Sequence, residues 1–308
     1  MRTYWNTTHG IQPIDEWRPQ CWVQVTCPVE EDVKFLTDEL HMPDYFLYDI
    51  ADADERARYD IDEGWLMIIL RIPHMKTHNS RSPYTTVPLG VAIKDGVIIT
   101  VCHHETRMML DFVTHQQRRA AGFTDAADLV FRLFLSTSVW YLKYLKQVSA
   151  LIEKAKRNLD GQIDNADLVS LSRLQDSLTY FVTSIRGNET LLSKLKFRLP
   201  VDELDAELIE DVNIEMNQAR ETTSIYINIL NATMDTYANV INNNMNKVMR
   251  LLTSLNMIIM FPTLIASLFG MNLINGMESN PWGFPIAIVI SILTTIISWM
   301  WFKRRNWL

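Results

Sequence analysis

Two uncharged stretches near the C-terminus dominate the hydrophobic pattern of the chain. Residues 251–271 contain no charged side chain, and a second uncharged run covers residues 282–302. About 20 apolar residues are needed for a helix to cross the hydrocarbon core of a membrane. The pattern therefore predicts a transmembrane hairpin with spans at 251–271 and 282–302. A loop at 272–281 would join the spans, and a basic tail at 303–308 would follow them.

A series of mostly polar positions recurs at steps of three and four through the first span and the segment before it. This spacing places them on one face of a helix. The positions are Asp235, Asn239, Asn242, Asn246, Met249, Leu252, Asn256, Met260, Thr263 and Ser267. Amides and hydroxyls that faced lipid would lack hydrogen-bond partners, so this face should meet another helix or water. The pattern alone leaves helix packing and pore lining both open.

A single helix is predicted to lead into the first span. Neither proline nor glycine occurs between Val201 and Pro262. A helix over residues 202–271 would be on the order of 100 Å long at 1.5 Å per residue. Such a helix needs neighbours to be stable. Residues 201–250 are therefore predicted to form a stalk that continues into the pore-lining span.

The rest of the chain is predicted to be α+β, with a mixed part followed by a helical part. Strand-like runs cover residues 21–26, 65–72, 85–93 and 97–101, and Asp95-Gly96 supplies hairpin-turn chemistry between the last two. Helices are expected at 29–40 and around 43–51. After the candidate N-cap Thr124, helices are expected at about 124–160 and 164–197. We assign 1–122 to an α/β domain and 123–200 to a helical hairpin.

The charge of the chain is concentrated upstream of the spans. The chain has 29 Lys and Arg against 36 Asp and Glu. Because residues 246–308 hold five of the basic residues and only one acid, Glu278, the upstream part keeps 24 basic and 35 acidic residues, a net charge of −11. An acidic domain disfavours nucleic acid as a partner and suits the attraction of cations, although ordinary solubility explains it too.

The motifs of the sequence do not indicate an enzyme. No nucleophile–base pair, phosphate loop or cluster of metal ligands stands out, so we do not expect an enzyme. The three cysteines, Cys21, Cys27 and Cys102, suggest neither a disulfide framework nor a zinc motif. The run from Cys102 to Glu105 invites a metal interpretation, but it is more typical of a strand end followed by a surface helix.

The tripeptide Gly270-Met271-Asn272, at the end of a penultimate span, resembles the CorA family of magnesium channels. The Phe261-Pro262 pair and the ending Phe302 to Leu308 are similar to that family as well, and residues 54–58 match it more loosely. The resemblance implies a funnel-shaped homopentamer with an α+β cytoplasmic domain, a long stalk helix and a two-helix transmembrane hairpin. It favours pore lining for the polar face, and it implies membrane lipid and divalent cations as partners.

The resemblance also implies roles for individual residues. Asn272 would form a ring of amides that accepts hydrogen bonds from the waters of hydrated Mg²⁺, with Gly270 and Met271 shaping the entrance. Met249, Leu252 and Met260 would form apolar constrictions, and Asp235 a carboxylate ring near the cytoplasmic end. Lys303, Arg304 and Arg305 would form an electrostatic ring. Glu278 lies in the outer loop.

Regulation by intracellular Mg²⁺ is a further implication. Asp211 falls at the position of a regulatory aspartate of the family when the stalk is aligned from Gly270-Met271-Asn272 without gaps, although it is equally consistent with a solvated stalk residue. Its partner from a neighbouring subunit is not identified, with Asp95 and Asp111 as guesses. Mg²⁺ would thus be both cargo and regulator, and Co²⁺, Ni²⁺ or Zn²⁺ are further candidates.

The charges around the spans predict an orientation. Lys247 and Arg250 precede the first span, and Lys303 to Arg305 follow the second. By the positive-inside rule both ends belong in the cytoplasm. We therefore expect a multi-pass protein of the inner (plasma) membrane, with cytoplasmic N- and C-termini and the loop outside.

Three departures from the family pattern leave alternatives open. Phe269 stands where a tyrosine is usual, the loop reads Asn275 to Glu278 without the usual Met-Pro-Glu, and Asn256 places an amide in mid-span. A zinc transporter of the same superfamily is the nearest alternative function. A membrane-tethered helical scaffold that conducts nothing is the alternative from another class.

Overall fold

The computed structural model describes residues 1–7, 10–76, 82–118, 122–158, 165–199, 203–271 and 281–307. These residues divide into two compact units, Met1–Met234 and Asp235–Leu308. We refer to them as the N-terminal unit and the C-terminal unit. The sequence also predicts a turn near Asp160-Gly161 and a helix break at Pro200, and both lie outside the described residues.

A seven-stranded sheet organises the N-terminal unit, in the order β2-β1-β3-β7-β6-β5-β4. All neighbouring strands are antiparallel except β3 and β7, which are parallel. The strands are β1 (Arg2–Asn6), β2 (Gln12–Ile14), β3 (Trp22–Thr26), β4 (Arg58–Asp62), β5 (Trp65–Met75), β6 (Tyr84–Lys94) and β7 (Val97–Cys102). The four predicted strands are confirmed as β3, β5, β6 and β7.

The turn between β6 and β7 follows directly from its sequence. Lys94 pairs with Val97, which leaves Asp95 and Gly96 as a two-residue loop. Their φ angles are 49° and 80°. Positive φ at both positions is the requirement of a type I′ turn, and Asp-Gly meets it at low steric cost. The predicted hairpin is confirmed.

Helices pack on both faces of the sheet. They are α1 (Glu30–Lys34), which continues as a π-helical turn over Phe35–Glu39, α2 (Asp44–Ala51), α3 (Arg107–Arg118), α4 (Ala126–Asn158), α5 (Asn165–Leu195), α6 (Glu203–Phe269) and α7 (Gly283–Arg304). Helices α4 and α5 contact β5 and β6, whereas α2 contacts β6 and β7. Gly90 in β6 permits the close approach of α2, because a Cβ there would lie 2.1 Å from Cδ1 of Ile50.

One hydrophobic core joins α1 and α2 to the sheet. Its buried members include Trp65 and Met67 of β5, Phe46 and Ile50 of α2, and Ile99 of β7. These side chains lose their contact with water together, and apolar burial of this kind is the main favourable term in folding. The core fixes the sheet as a rigid platform for the helices.

A buried asparagine closes the free edge of β5. The last pair between β4 and β5 joins Arg58 to Ile69, so Arg71 lies beyond the end of β4. The backbone N–H of Arg71 donates to Oδ1 of Asn188 in α5 at 3.0 Å, and its carbonyl accepts from Nδ2 of Asn188 at 2.8 Å. The hydroxyl of Tyr141 donates to the same carbonyl at 3.0 Å. Asn188 thus replaces a strand partner with its side chain.

In the C-terminal unit, α6 continues through Pro262 to Phe269 without interruption, and α7 runs for 22 residues. Both helices are long and apolar enough to cross a membrane, and only 6% of the most apolar part of each is buried. A core helix of a soluble protein would be mostly buried instead. A cavity of about 350 Å³ lies between the end of α6 and the start of α7, lined by Phe269, Gly270, Phe284 and Ile288 among others.

Replacing Asn188 with alanine should destabilise the N-terminal unit. The carbonyl of Arg71 would keep Tyr141 as a partner, but the buried N–H of Arg71 would have none. The expected cost is about 1–3 kcal/mol. Thermal unfolding of the purified full chain should show a melting temperature several degrees lower. Asn228→Ala, at an exposed position of α6, is the matched control, and equal melting temperatures for the two variants would refute this role of Asn188.

Candidate pore-lining face

The ten residues expected to line a pore all lie on the surface of the single chain. They occupy the part of α6 that belongs to the C-terminal unit, and every one of them is exposed. The side chains of Met249 and Met260 are 54% and 67% exposed, although both are apolar. We call this surface the α6 polar face; it consists of Asp235, Asn239, Asn242, Asn246, Met249, Leu252, Asn256, Met260, Thr263 and Ser267.

The opposite side of α6 is the less exposed one. Ser254 is completely buried, and Ile258, Pro262 and Ile265 are half-buried. Residues two positions apart are about 200° apart around a helix axis, so Ser254 and Asn256 point in nearly opposite directions. The C-terminal unit therefore covers one side of α6 and leaves the α6 polar face open.

Four amides of the open face have no internal partner. Within the described residues, the side chains of Asn239, Asn242, Asn246 and Asn256 make no hydrogen bond. An amide that is removed from water without a partner costs roughly 1–3 kcal/mol. Their partners must come from outside the single chain, as water or as other copies of it.

Hydroxyls on both sides of α6 bond to carbonyls of their own helix. Oγ1 of Thr263 donates to the carbonyl of Ile259 at 2.7 Å, and Oγ of Ser254 donates to the carbonyl of Arg250 at 2.8 Å. This bond uses the only hydrogen of the Thr263 hydroxyl and leaves its oxygen free to accept. On the exposed side, Thr263 can therefore accept a hydrogen bond from water.

Aromatic rings flank the basic residues at the end of α7. Nζ of Lys303 lies 4.8 Å from the ring centre of Trp299, and the guanidinium of Arg305 lies 5.7 Å from that of Trp301. These are cation–π distances. Lys303 and Arg304 belong to the last turn of α7, so the helix extends into the predicted tail. These aromatic partners were not predicted from the sequence, although the repeated tryptophans of this segment were a visible signal.

Of the tripeptide Gly270-Met271-Asn272, the first two residues lie within the described part of the chain. The N–H of Gly270 donates to the carbonyl of Ala266 at 2.9 Å, so Gly270 continues the last turn of α6. Met271 is 49% exposed. Asn272 and Glu278 lie outside the described residues, and the proposed selective amide and the outer-loop acid remain predictions.

The acidic residues considered for regulation have different surroundings in the N-terminal unit. Asp211 is exposed on α6, and Asp95 lies in the β6–β7 turn. Asp111 accepts hydrogen bonds from Nζ of Lys143 at 2.8 Å and from Nε1 of Trp140 at 2.9 Å. The bond from Lys143 holds the pKa of Asp111 below its usual range. A cation could bind Asp111 only in competition with Lys143.

The stretch from Cys102 to Glu105 has limited metal-binding chemistry. Cys102 is buried with its thiol toward the carbonyl of Pro88 at 3.6 Å, and burial raises its pKa to about 12. A thiol with this pKa is protonated at neutral pH and is a poor metal ligand. In the part of the chain that the structure describes, no three His, Cys, Asp or Glu side chains come together at a metal site.

Known proteins resemble this chain over almost its whole length. The family model described as "CorA-like Mg2+ transporter protein" matches residues 19–304. The cobalt/magnesium transport protein CorA of Methanocaldococcus jannaschii is 23% identical, over 93% of this chain and 91% of its own length. The magnesium transport protein CorA of Wolinella succinogenes is 22% identical over the same shares.

The fold agrees with a solved member of that family. The complete structure of the M. jannaschii CorA magnesium transporter superimposes with a TM-score of 0.85, at 21% identity, and covers 100% of this chain and 99% of its own. It shares the N-terminal domain, the long helix and the apolar C-terminal helices. The chain therefore belongs to the CorA-like Mg²⁺ transporter family, whose members are membrane ion transporters and not enzymes.

Proposed function

We propose that this protein is a divalent cation channel that takes up Mg²⁺, with Co²⁺ or Ni²⁺ as secondary cargo. The observation that carries the proposal is the match to the CorA-like family over residues 19–304. The names of the relatives, which include both magnesium and cobalt transport proteins, support this choice of ions. The exposed α6 polar face supplies the surface that a pore needs.

The pore is formed by a homopentamer in which the α6 polar faces surround one axis. This arrangement gives the unpartnered amides of Asn239, Asn242, Asn246 and Asn256 water as a partner. It also leaves the outward side of the apolar helices to lipid. Lipid cannot hydrogen-bond an amide, so the opposite orientation would leave Asn256, which lies within the span at 251–271, unsatisfied.

Selection of the ion takes place at a ring of Asn272 side chains. Mg²⁺ holds its water strongly, so an entry site must bind the hydrated ion through hydrogen-bond acceptors. The neutral amide oxygen accepts from these waters without the strong attraction of a carboxylate. Conduction requires sites that bind weakly enough to release the ion.

Along the pathway, polar and apolar positions alternate. Thr263 and Ser267 offer oxygen acceptors below the entry, and Met260, Leu252 and Met249 form apolar constrictions that can close by dewetting. Asp235 forms a carboxylate ring toward the cytoplasm. The three apolar side chains are exposed on the same stripe as the asparagines, which supports this assignment.

The protein lies in the inner membrane with both termini in the cytoplasm. The basic residues Lys247 and Arg250 before α6 enters the membrane, and Lys303 to Arg305 after α7, support this orientation. The electrostatic ring of Lys303, Arg304 and Arg305 surrounds the inner end of the pore. The loop with Glu278 faces outward.

Intracellular Mg²⁺ closes the channel by binding between neighbouring N-terminal units. Residues 1–245 carry a net charge of −11, so neighbouring units repel one another and bound cations reduce the repulsion. The exposed carboxylate of Asp211 is the proposed ligand on α6. Loss of the ions shifts the population toward an open state. The ion thus acts as cargo and as regulator.

Two alternatives make different predictions. A zinc transporter of the same superfamily would carry Zn²⁺ in preference to Mg²⁺, although such transporters usually vary the middle residue of the tripeptide and this chain keeps Met271. A scaffold that conducts nothing would have a dry, dimeric stalk. A pentamer with a water-filled axis would exclude the scaffold.

Asn272→Ala should abolish Mg²⁺ entry into proteoliposomes that contain a magnesium-sensitive dye. The substitution removes the amide ring that holds the hydrated ion. Asn280→Ala, elsewhere in the same loop region, is the control and should retain entry. If neither the native protein nor the control admits Mg²⁺, zinc flux is the next assay, and its absence together with a dry, dimeric stalk would favour the scaffold.

Asn256→Leu should reduce the rate of Mg²⁺ entry about tenfold, as expected for a barrier higher by about 1.4 kcal/mol. Five apolar side chains in place of the amides would extend the dry part of the pore. Met257→Leu, at a neighbouring position, is the control. Unchanged entry in Asn256→Leu would place this amide against another helix instead of in the pore.

A further inference from the structure

A second polar site lies in the N-terminal unit, at the end of β5. A cavity of about 220 Å³ opens beside the part of β5 that extends beyond the end of β4. Basic side chains from separate segments converge on it: Arg71 and His74 of β5, Lys76 after β5, and His104 after β7. Asp54, from the loop between α2 and β4, is the acid that lines it. The cavity is therefore basic within an acidic domain.

Arg71 is a buried cation that no carboxylate neutralises directly. Its residue is only 7% exposed. Its two terminal nitrogens donate to the carbonyls of Ala53, Glu55 and Thr86 and to the hydroxyl of Thr86, at 2.7–3.0 Å. All of these acceptors are neutral, and no ion pair to Arg71 occurs among the described residues. The carboxylates of Asp54, Asp52 and Glu55 act on Arg71 without a direct ion pair, and a bound anion would supply the direct partner that this buried charge lacks.

His104 contributes an unused polar atom. Its Nδ1 is buried and has no hydrogen-bond partner in the described structure. The ring of His74 lies 5.5 Å away, centre to centre. Burial lowers the pKa of both imidazoles, and Lys76 lowers them further. A neutral imidazole keeps one N–H donor, so each ring can donate a hydrogen bond into the cavity.

We propose that this cavity binds a phosphate group, either as inorganic phosphate or as the terminal group of a small phosphate monoester. Arg71 and Lys76 supply positive charge, and His74 and His104 supply donors. The carboxylate of Asp54 can accept the hydrogen that inorganic phosphate retains at neutral pH, whereas a monoester loses most of this hydrogen above its second pKa of about 6. Sulfate has no such hydrogen at neutral pH and would meet Asp54 as a like charge, so the site distinguishes the two anions. The site is separate from the α6 polar face and does not depend on ion conduction.

Calorimetric titration of the full-length protein in detergent, in a buffer free of phosphate, tests the proposal. Inorganic phosphate and glycerol 3-phosphate are the probes, and sulfate is the comparison. Saturable binding of either phosphate is expected, and inorganic phosphate should bind in preference to sulfate. Binding of inorganic phosphate alone identifies the free ion, and tighter binding of the monoester identifies an esterified ligand.

Substitutions of the cavity residues test whether the phosphate binds in the cavity. His74→Asn and His104→Asn should each weaken phosphate binding about tenfold, which is about 1.4 kcal/mol. His115→Asn, at an exposed position of α3, should leave it unchanged. Asp54→Asn should reduce the preference for phosphate over sulfate. Melting temperatures of all four variants verify that they are folded, because Arg71 is too deeply buried to substitute safely.

The contrary results are equally definite. The absence of saturable binding by either phosphate to the native protein would overturn the proposal. Equal weakening in His115→Asn and His104→Asn would do so as well. Zinc binding that needs His74 and His104, without phosphate binding, would show that the two rings form a metal site instead.

Discussion

An amide side chain within the apolar part of α6 must find a hydrogen-bond partner, and this structure depends on that constraint. A helix can satisfy its own backbone inside a membrane, but an asparagine side chain needs a partner from elsewhere. In α6 the hydroxyls of Thr263 and Ser254 bind carbonyls of their own helix, whereas the amide of Asn256, within the span, has no such partner. It therefore requires water or another copy of the chain, and the amides of Asn242 and Asn246 continue the same stripe before the span.

The remainder of the C-terminal unit agrees with this requirement. Ser254 is buried on the other side of α6, and Phe302 of α7 is buried between the rings of Trp301 and Trp307. The single chain thus covers one side of α6 and leaves the polar one open. In the N-terminal unit, α5 contacts the first part of α6, where Arg220 pairs with Glu189 at 3.0 Å.

The sequence predicted elements with a strong local signal and missed those formed by distant contacts. Apolar runs with Asp95-Gly96 between them predicted β6 and β7, and the lack of Pro and Gly predicted α6. The strand β4 was not predicted, because in Arg58 to Asp62 charged residues alternate with Tyr and Ile at a sheet edge, and no apolar run marks it. The spacing of three and four residues predicted the α6 polar face, but the sequence could not show that this face is exposed. The cavity around Arg71 and His104 could not be predicted, because its residues come from segments that are far apart in the sequence.

Cysteine accessibility tests the central claim, that the α6 polar face lines a water-filled pore, most directly. Cys27 would be replaced by serine because it is exposed, whereas Cys21 and Cys102 are buried. Single cysteines would then be placed at Asn256, Met260 and Thr263, and at Ser254, Ile258 and Ile265. A charged thiol reagent should modify the first three positions and block Mg²⁺ entry, while the second three stay protected. Modification of the second set, or of both sets equally, would contradict the account.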